Sequence, residues 1–357
     1  MFKYIDAKPL TEKPTLEIAL KITFYIIAII LAVVGNFIVI LILLLNKRMR
    51  TTTNILILNL AVSDCLVGLF CMWIHLGNEI SPQYPFNAFF CKANTFVQVT
   101  IVTSSVLTLT IISIERFFAI VFPLKGKLSA RTTGISIVIS WIVSIAVASP
   151  HLIIRKYNEV QWKNRKEIWC DQNWPKIYKD KNCATEEPIK KIYYAVSGIV
   201  MYFVPICVMV FAYSIIAIKL MRRKSPGSLV GTTTMLQDRA RRKVIKMLLM
   251  VFITFVICWT PQQVMLLWAA YEKKENIPEY INTIKYIAVF AAYFNSSINP
   301  ILYGGFNENF RRGFKEAFKC LLLRKRNRVN PFAAQTGRTI VDSRQGDSAG
   351  QIGNSQT

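Results

Sequence analysis

Seven long apolar segments constrain the fold of this 357-residue chain more than any other feature. They cover residues 22–45, 55–77, 92–114, 135–154, 192–218, 247–270 and 286–304. Each has about the length needed to cross a hydrocarbon core of ~30 Å. Amphipathic helices of a large soluble core would show a polar face, and several of these segments carry no charge. We therefore expect an all-α fold, a bundle of seven transmembrane helices.

The basic residues predict how the bundle lies in the membrane. The net charge is +24, and Lys and Arg concentrate in the connections after the first, third and fifth segments and after the seventh. By the positive-inside rule these connections are cytoplasmic, so the N-terminus lies outside the plasma membrane. The loop 155–191 is basic as well, but long loops cross the membrane largely regardless of charge. We expect anionic lipid, and no nucleic acid, beside the basic loops.

Asp64 is the only Asp, Glu, Lys or Arg placed mid-membrane in any segment. A carboxylate at that depth is costly and indicates a function. One alternative is an ion-coupled transporter or channel that uses Asp64, although the odd helix count and the lack of an internal repeat argue against it. We expect no enzyme, because the only histidines, His75 and His151, have no nearby acid partner in the sequence.

Three cysteines lie on the outer side of the predicted bundle. Cys91 begins the third segment, and Cys170 and Cys183 lie in the loop before the fifth. An oxidising exterior favours one disulfide from Cys91. The spacing leaves both partners open.

Ordered motifs on the predicted helices carry a resemblance to a known family. Residues 115–117 read Glu-Arg-Phe, residues 258–261 read Cys-Trp-Thr-Pro and residues 299–303 read Asn-Pro-Ile-Leu-Tyr. The chain resembles rhodopsin-like (class A) G-protein-coupled receptors from residue 22 to about residue 320. The resemblance implies a receptor that activates heterotrimeric G proteins through outward movement of the sixth helix. The expected parts are an extracellular N-terminus (1–21), the receptor domain (22–304), an amphipathic helix (305–321) and a disordered cytoplasmic tail (322–357).

A narrower resemblance is to neuropeptide FF and SIFamide receptors. It rests on residues 59–72 (NLAVSDCLVGLFCM), on Trp169-Cys170 with Trp174-Pro175, and on residues 306–314. It implies an extracellular, C-terminally amidated neuropeptide as ligand and Cys170 as the partner of Cys91. The chain departs from the family at Trp73, where the family has proline. It departs again at Ala270, where many members carry an acid that meets a ligand arginine, so an Arg-Phe-amide ligand would need Glu272 instead.

The outer half of the third segment offers a neutral amide where an amine receptor would need a carboxylate. This residue is Gln98, and a side-chain amide both donates and accepts hydrogen bonds, which suits a peptide carboxamide. The family resemblance indicates the same residue. The candidate ligand-binding residues are Gln98, His75, Gln262, Gln263, Trp268, Tyr293 and Glu272.

The inner half of the bundle carries the candidate activation switch. Arg116 can be held by Glu115 or released toward Tyr213, Tyr303 and the G protein. Prolines inside the sixth and seventh segments predict kinks. The basic run 239–243 argues against an acid at the base of the sixth helix that would lock Arg116. The candidate switch residues are Glu115, Arg116, Trp259, Phe255, Pro261, Pro205, Val106, Tyr213, Asn299, Pro300 and Tyr303.

The expected neighbours of Asp64 supply oxygen atoms. Together they predict a sodium site that favours the inactive bundle, and no other cofactor is expected. The candidate sodium ligands are Asp64, Ser105, Asn295, Ser296 and Asn299.

The inner surface is expected to meet the signalling partners. Arg116 and Leu124 are candidate G-protein contacts. Phe306, Phe310 and Phe314 repeat every four residues between basic residues, which predicts an amphipathic helix lying on the membrane. Cys320 is a palmitoylation candidate. Ser and Thr of the tail are expected to accept phosphates from receptor kinases, which would recruit arrestin.

Overall fold

The computed structural model describes residues 6, 10, 13–46, 49, 51–122, 128–178, 185–222, 232–271 and 279–326. Within these residues the chain forms eight helices, α1 (Thr15–Leu45), α2 (Thr52–Ile80), α3 (Ala88–Val121), α4 (Ala130–Ile154), α5 (188–222), α6 (Thr232–Tyr271), α7 (Glu279–Phe306) and α8 (Glu308–Arg326). Leu124, Cys183, Glu272 and the side chain of Cys320 lie outside the described residues.

Six of these helices, α1 to α6, are long and apolar enough to cross a membrane. The seventh long helix, α7, has 28 residues but is less apolar, and its polar residues Asn295, Ser296 and Asn299 are buried. Large apolar side chains of α4, including Ile135 and Ile142, are exposed as expected for a lipid-facing surface. The predicted all-α membrane bundle is confirmed.

The helices extend beyond the apolar segments, because hydropathy does not register their polar ends. α1 begins at Thr15 and α3 begins at Ala88, several residues before the predicted segments. Side-chain caps fix three of the starts: Thr51, Asn87 and Ser129 accept hydrogen bonds from backbone N–H groups at 3.1–3.3 Å. Each cap satisfies a donor that the first helical turn leaves free.

Helix α2 contains a π-helical turn, Gly68–Met72, just before Trp73. Trp73 has φ −70°, and its indole Nε1 donates to the Leu69 carbonyl oxygen at 2.8 Å. A proline needs a φ near −65° and donates no backbone hydrogen bond. The helix therefore keeps a backbone that suits proline, although tryptophan occupies the position.

An antiparallel hairpin, which the sequence analysis did not predict, follows α4. Its strands are β1 (Arg155–Gln161) and β2 (Lys166–Gln172). The disulfide Cys91–Cys170 joins β2 to the start of α3, which confirms the predicted pairing. The Tyr84 N–H also donates to the Ile168 carbonyl at 3.0 Å, and the Ile168 N–H donates to Gln83 Oε1 at 3.2 Å, so these links hold the hairpin against the outer end of the bundle. A shorter pair, β3 (Ile177–Tyr178) and β4 (Thr185–Glu186), follows.

Candidate functional site

A cavity with about 840 Å³ of empty space, counting its open mouth, lies among α3 to α7. Four predicted ligand residues line it together, namely Gln98, Gln262, Gln263 and Tyr293. The lining residues include no Asp, Glu, Lys or Arg. The cavity is therefore a neutral, partly polar space of a size that suits a ligand.

Polar atoms on the cavity wall lack partners inside the protein. Gln262 Oε1, Tyr293 Oη and His151 Nδ1 are buried and make no hydrogen bond within the described structure. Buried polar groups cost free energy unless they are hydrogen-bonded. These atoms, which lack hydrogen-bond partners, favour a ligand that supplies both hydrogen-bond donors and acceptors.

Two other predicted ligand residues, His75 and Trp268, are not among the described residues that line the cavity. His75 Nδ1 lies 2.8 Å from Tyr25 Oη, and the His75 ring stands edge-on to Tyr293 at 5.4 Å. His75 therefore connects α2 to α1 and supports Tyr293 from behind. Trp268 is half-buried outside the lining, and Glu272 lies outside the described residues.

The α4–α5 side contributes lining residues that the sequence analysis did not select. Tyr193 Oη donates to the Val147 carbonyl at 2.9 Å and lies 3.1 Å from His151 Nε2. Tyr194 Oη donates to Gln172 Oε1 at 2.9 Å, which ties the cavity wall to the hairpin. The sequence does show a histidine, His151, at the outer end of the fourth segment and two adjacent tyrosines at the outer end of the fifth. Whether these side chains face the same cavity depends on how each helix is rotated about its own axis.

Val106, Phe255 and Trp259, three of the predicted switch residues, form the floor of the cavity. The Phe255 and Trp259 ring centroids are 6.3 Å apart. Pro205 is buried in α5, and Pro261 lies inside the continuous helix α6, one turn above Ile257. The cavity floor and the α6 proline, where a kink is predicted, are thus close together.

Asp64 is 1% exposed, and its carboxylate contacts two of the predicted sodium ligands, Asn299 and Ser296. Asn299 Nδ2 donates to Asp64 Oδ2 at 2.6 Å, and Ser296 also hydrogen-bonds the carboxylate. The Oδ1 atoms of Asn295 and Asn299 are buried without partners in the described structure. Ser105 donates to the Ile101 carbonyl at 3.1 Å, which leaves its oxygen lone pairs available. One carboxylate with neutral oxygens suits a hard cation such as sodium.

Pro300 and Asn36 fix α7 against α1 near this cluster. A Cβ on Gly35 would lie only 2.9 Å from Pro300 Cγ, so glycine allows the helices to approach closely. Asn36 Nδ2 donates to the Ser296 carbonyl at 3.0 Å. A backbone group of the kinked helix therefore finds its partner on α1.

At the inner end of α3, Arg116 is held by its neighbour. Its Nε and a terminal nitrogen donate to the Glu115 carboxylate at 2.5 and 2.6 Å. Thr53 of α2 donates to the same carboxylate at 3.0 Å. Tyr213 is buried within electrostatic range of Arg116, and Tyr303 is buried with its hydroxyl unpaired in the described structure. Arg116 is therefore bound within its own helix, with Tyr213 nearby.

A different ion pair joins the inner end of α6 to the start of α8. Lys243 Nζ contacts Glu308, and this contact lowers the pKa of the Glu308 carboxyl. The ring of Phe306 lies 5.6 Å from Lys246 Nζ.

Phe306 ends α7, so α8 begins later than the predicted helix 305–321. Phe310 is fully buried while Arg311 is exposed, as in an amphipathic helix.

Comparison with known proteins identifies the class. Residues 35–303 match the family model of the 7 transmembrane receptor (rhodopsin family), and the chain belongs to this family. The predicted rhodopsin-like G-protein-coupled receptor is confirmed, and nothing supports the transporter alternative.

Comparison with individual proteins shows which kinds of receptor within this family the chain is similar to. The chain is 34% identical to Neuropeptide FF receptor 2 of Mus musculus over 92% of its length and 79% of that protein. It is 36% identical to Neuropeptide FF receptor 1 of Homo sapiens over 85% of its length and 71% of that protein. It is also 29% identical to Substance-P receptor of Homo sapiens over 86% of its length and 73% of that protein.

Proposed function

We propose that this protein is a plasma-membrane receptor for an extracellular, C-terminally amidated peptide, with its N-terminus outside. The observation that carries the proposal is a neutral cavity in which Gln98, Gln262 and Tyr293 converge. A primary amide offers two N–H donors and one carbonyl acceptor, and the side chains on the wall offer the complementary groups. The relatives, which are receptors named for neuropeptide FF and substance P, support a peptide as the class of ligand.

The same bundle couples the cavity to a heterotrimeric G protein. A ligand that contacts the floor at Phe255 and Trp259 favours one arrangement of the kinked helix α6. Outward movement of α6 separates Lys243 from Glu308 and opens the inner surface around Arg116. By linkage, a G protein that binds the opened surface raises affinity for the ligand by the same factor.

Sodium acts against this opening. Asp64, Ser105, Asn295, Ser296 and Asn299 hold the ion in the inactive arrangement, and repacking of α7 around Pro300 disperses these oxygens. Sodium and agonist therefore favour opposite states of one equilibrium.

Further partners act at the inner surface. Leu124 and Arg116 contact the G protein, and α8 lies on membrane lipid with its phenylalanine face inward. Palmitoylation of Cys320 strengthens that anchoring. Receptor kinases phosphorylate the Ser and Thr residues of the tail, and arrestin binds the phosphorylated form.

Pools of synthetic hexapeptides, either C-terminally amidated or free acids, test the ligand class. Nucleotide exchange by purified receptor with G protein should respond to amidated pools about tenfold more strongly, because a hydrogen-bonded amide pairs the cavity groups. Gln98→Ala should remove most of this preference without lowering surface expression. Gln161→Ala, a glutamine of the hairpin outside the cavity, is the matched control. Equal responses to both kinds of pool would contradict an amide site.

A further inference from the structure

Arg155 is a cation beside the cavity that forms no direct ion pair with any of the described carboxylates. It begins β1 directly after the last residue of α4, and its Nε is buried without a hydrogen bond in the described part of the chain. None of the ion pairs among the described residues includes it. A guanidinium carries five donors, and burying one unpaired is costly.

The side chains near Arg155 place its positive charge beside the cavity. Arg155 lies within electrostatic range of Tyr194 and Tyr293, and it also acts on His151. All three of these residues line the cavity, from α5, α7 and α4. Arg155 therefore places positive charge next to a space whose own lining is neutral.

The nearby amide and carboxylate side chains do not pair directly with Arg155. Gln172 lies directly opposite Arg155 in the hairpin, but its Oε1 accepts from Trp174 Nε1 at 3.0 Å and from Tyr194 Oη at 2.9 Å. Asp171 is exposed and lies opposite Lys156, the neighbour of Arg155 on the strand, so it acts on Arg155 electrostatically without forming an ion pair with it. Ala270, at the outer end of α6, is buried with Ile154 and offers no side-chain acceptor.

Two other cations at this end of the bundle, Lys21 and Arg165, are paired with carboxylates. Lys21 pairs with Glu17 at 2.8 Å and with Glu79 at 3.7 Å, and it lies 4.3 Å from the Tyr286 ring centroid. Arg165 in the hairpin pairs with Glu167, whose pKa is lowered by that contact. Arg155 differs from these two cations because no described carboxylate pairs with it directly, and the exposed Asp171 acts on it only at longer range.

We propose that Arg155 forms a subsite for a carboxylate of the ligand at the outer edge of the cavity. The proposal rests on the proposed peptide-receptor function and adds a specific chemistry: the peptide carries an acidic residue near the part that enters the cavity. Planar, bidentate pairing with carboxylate is the interaction for which a guanidinium is best suited. An acidic side chain or a free C-terminus would present the same group, and the test separates these sources.

Positional pools of amidated hexapeptides, with each position in turn fixed as Asp, Asn or Lys, provide the probe. Nucleotide exchange by the full-length receptor with G protein should show one position at which the Asp pool is about tenfold or more as potent as the Asn pool, as a charged hydrogen bond predicts. Arg155→Gln should equalise the two pools, and Arg155→Glu should transfer the preference to the Lys pool. Arg155→Lys keeps the charge and should retain part of the Asp preference.

Lys156→Gln is the matched control, because Lys156 is the adjacent cation of the same strand and is exposed. It should leave the Asp preference intact. Equal Asp and Asn potency in the wild type, or an Asp preference that survives Arg155→Gln, would overturn the subsite while leaving the amidated-peptide function standing. A preference for free-acid pools that Arg155→Gln abolishes would instead keep the subsite and overturn the amide proposal. Failure of every pool to activate the wild type would reject the peptide function itself.

Discussion

Asp64 illustrates how single residues account for the behaviour of this receptor. Its carboxylate is buried at mid-membrane depth, where a charge is expensive. Asn299 donates one hydrogen bond to it, yet neighbouring amide oxygens of Asn295 and Asn299 remain unpaired in the described structure. A cation would stabilise the carboxylate and these oxygens at the same time.

Asp64→Asn should make the receptor insensitive to sodium. In the wild type, replacing N-methylglucamine chloride with sodium chloride at constant ionic strength should lower basal nucleotide exchange about fivefold or more, as coupling of 1 kcal/mol or above predicts. The variant loses the charge that binds the ion, so its basal exchange should be the same in both salts. Asp171→Asn, which removes an exposed acid, should keep the wild-type response. Sodium dependence that persists in Asp64→Asn would reject the site.

The residues that form a site were predictable where a sequence motif or a family resemblance identified them. The direction in which a helical side chain faces was not predictable. The pairing of Arg116 with Glu115 follows from a sequence motif, and that of Cys91 with Cys170 follows from the family resemblance; the structure reproduces both. His75 is different, because it was assigned to the cavity and in fact contacts Tyr25. A small rotation about a helix axis exchanges a cavity position for a helix contact, and sequence alone does not specify that rotation.

At the scale of elements, α2 shows that a backbone feature can survive a change of residue. The π-helical turn ends just before Trp73, whose φ of −70° would suit a proline, and the indole donates to the Leu69 carbonyl. Such π-helical turns inside α-helices are irregularities that occur frequently at functional sites. The indole hydrogen bond of Trp73 thus partly takes the place of a proline in maintaining this irregular turn.

Trp73→Pro should be tolerated, in contrast to proline one residue later. At position 73 the cost should be about 1 kcal/mol, the net value of the lost indole hydrogen bond. Ile74→Pro places the same ring at a buried position in the following α-helical segment, where the expected cost is about 3 kcal/mol or more. Thermal unfolding of the detergent-purified variants compares the two. Equal destabilisation would show that the backbone at Trp73 is not suited to proline.

The hairpin was not predictable from local pattern. Its strands, RKYNEVQ and KEIWCDQ, are rich in charge and lack a strong apolar alternation. Their stability comes from distant partners, namely the Cys91 disulfide and the Tyr84 hydrogen bond. The helices, in contrast, were predictable because burial in lipid imposes long apolar segments.

The whole molecule combines an outer cavity and an inner arginine in one bundle. Phe255 and Trp259 of the cavity floor belong to helix α6. The inner end of the same helix is joined to α8 by the ion pair between Lys243 and Glu308. Arg116 is bound to Glu115 in this arrangement. The central claim is that ligand binding outside and release of Arg116 inside belong to one two-state equilibrium.

The most direct test compares G-protein activation with peptide binding in the Arg116→Ala receptor. The amidated hexapeptide pool that activates the wild type should still bind the variant, measured by displacement of a labelled peptide from that pool, while nucleotide exchange falls at least about tenfold, as loss of a coupling of over 1 kcal/mol predicts. Arg131→Ala, an exposed arginine at the inner end of α4, should retain exchange. Exchange at the wild-type level in Arg116→Ala would contradict the account.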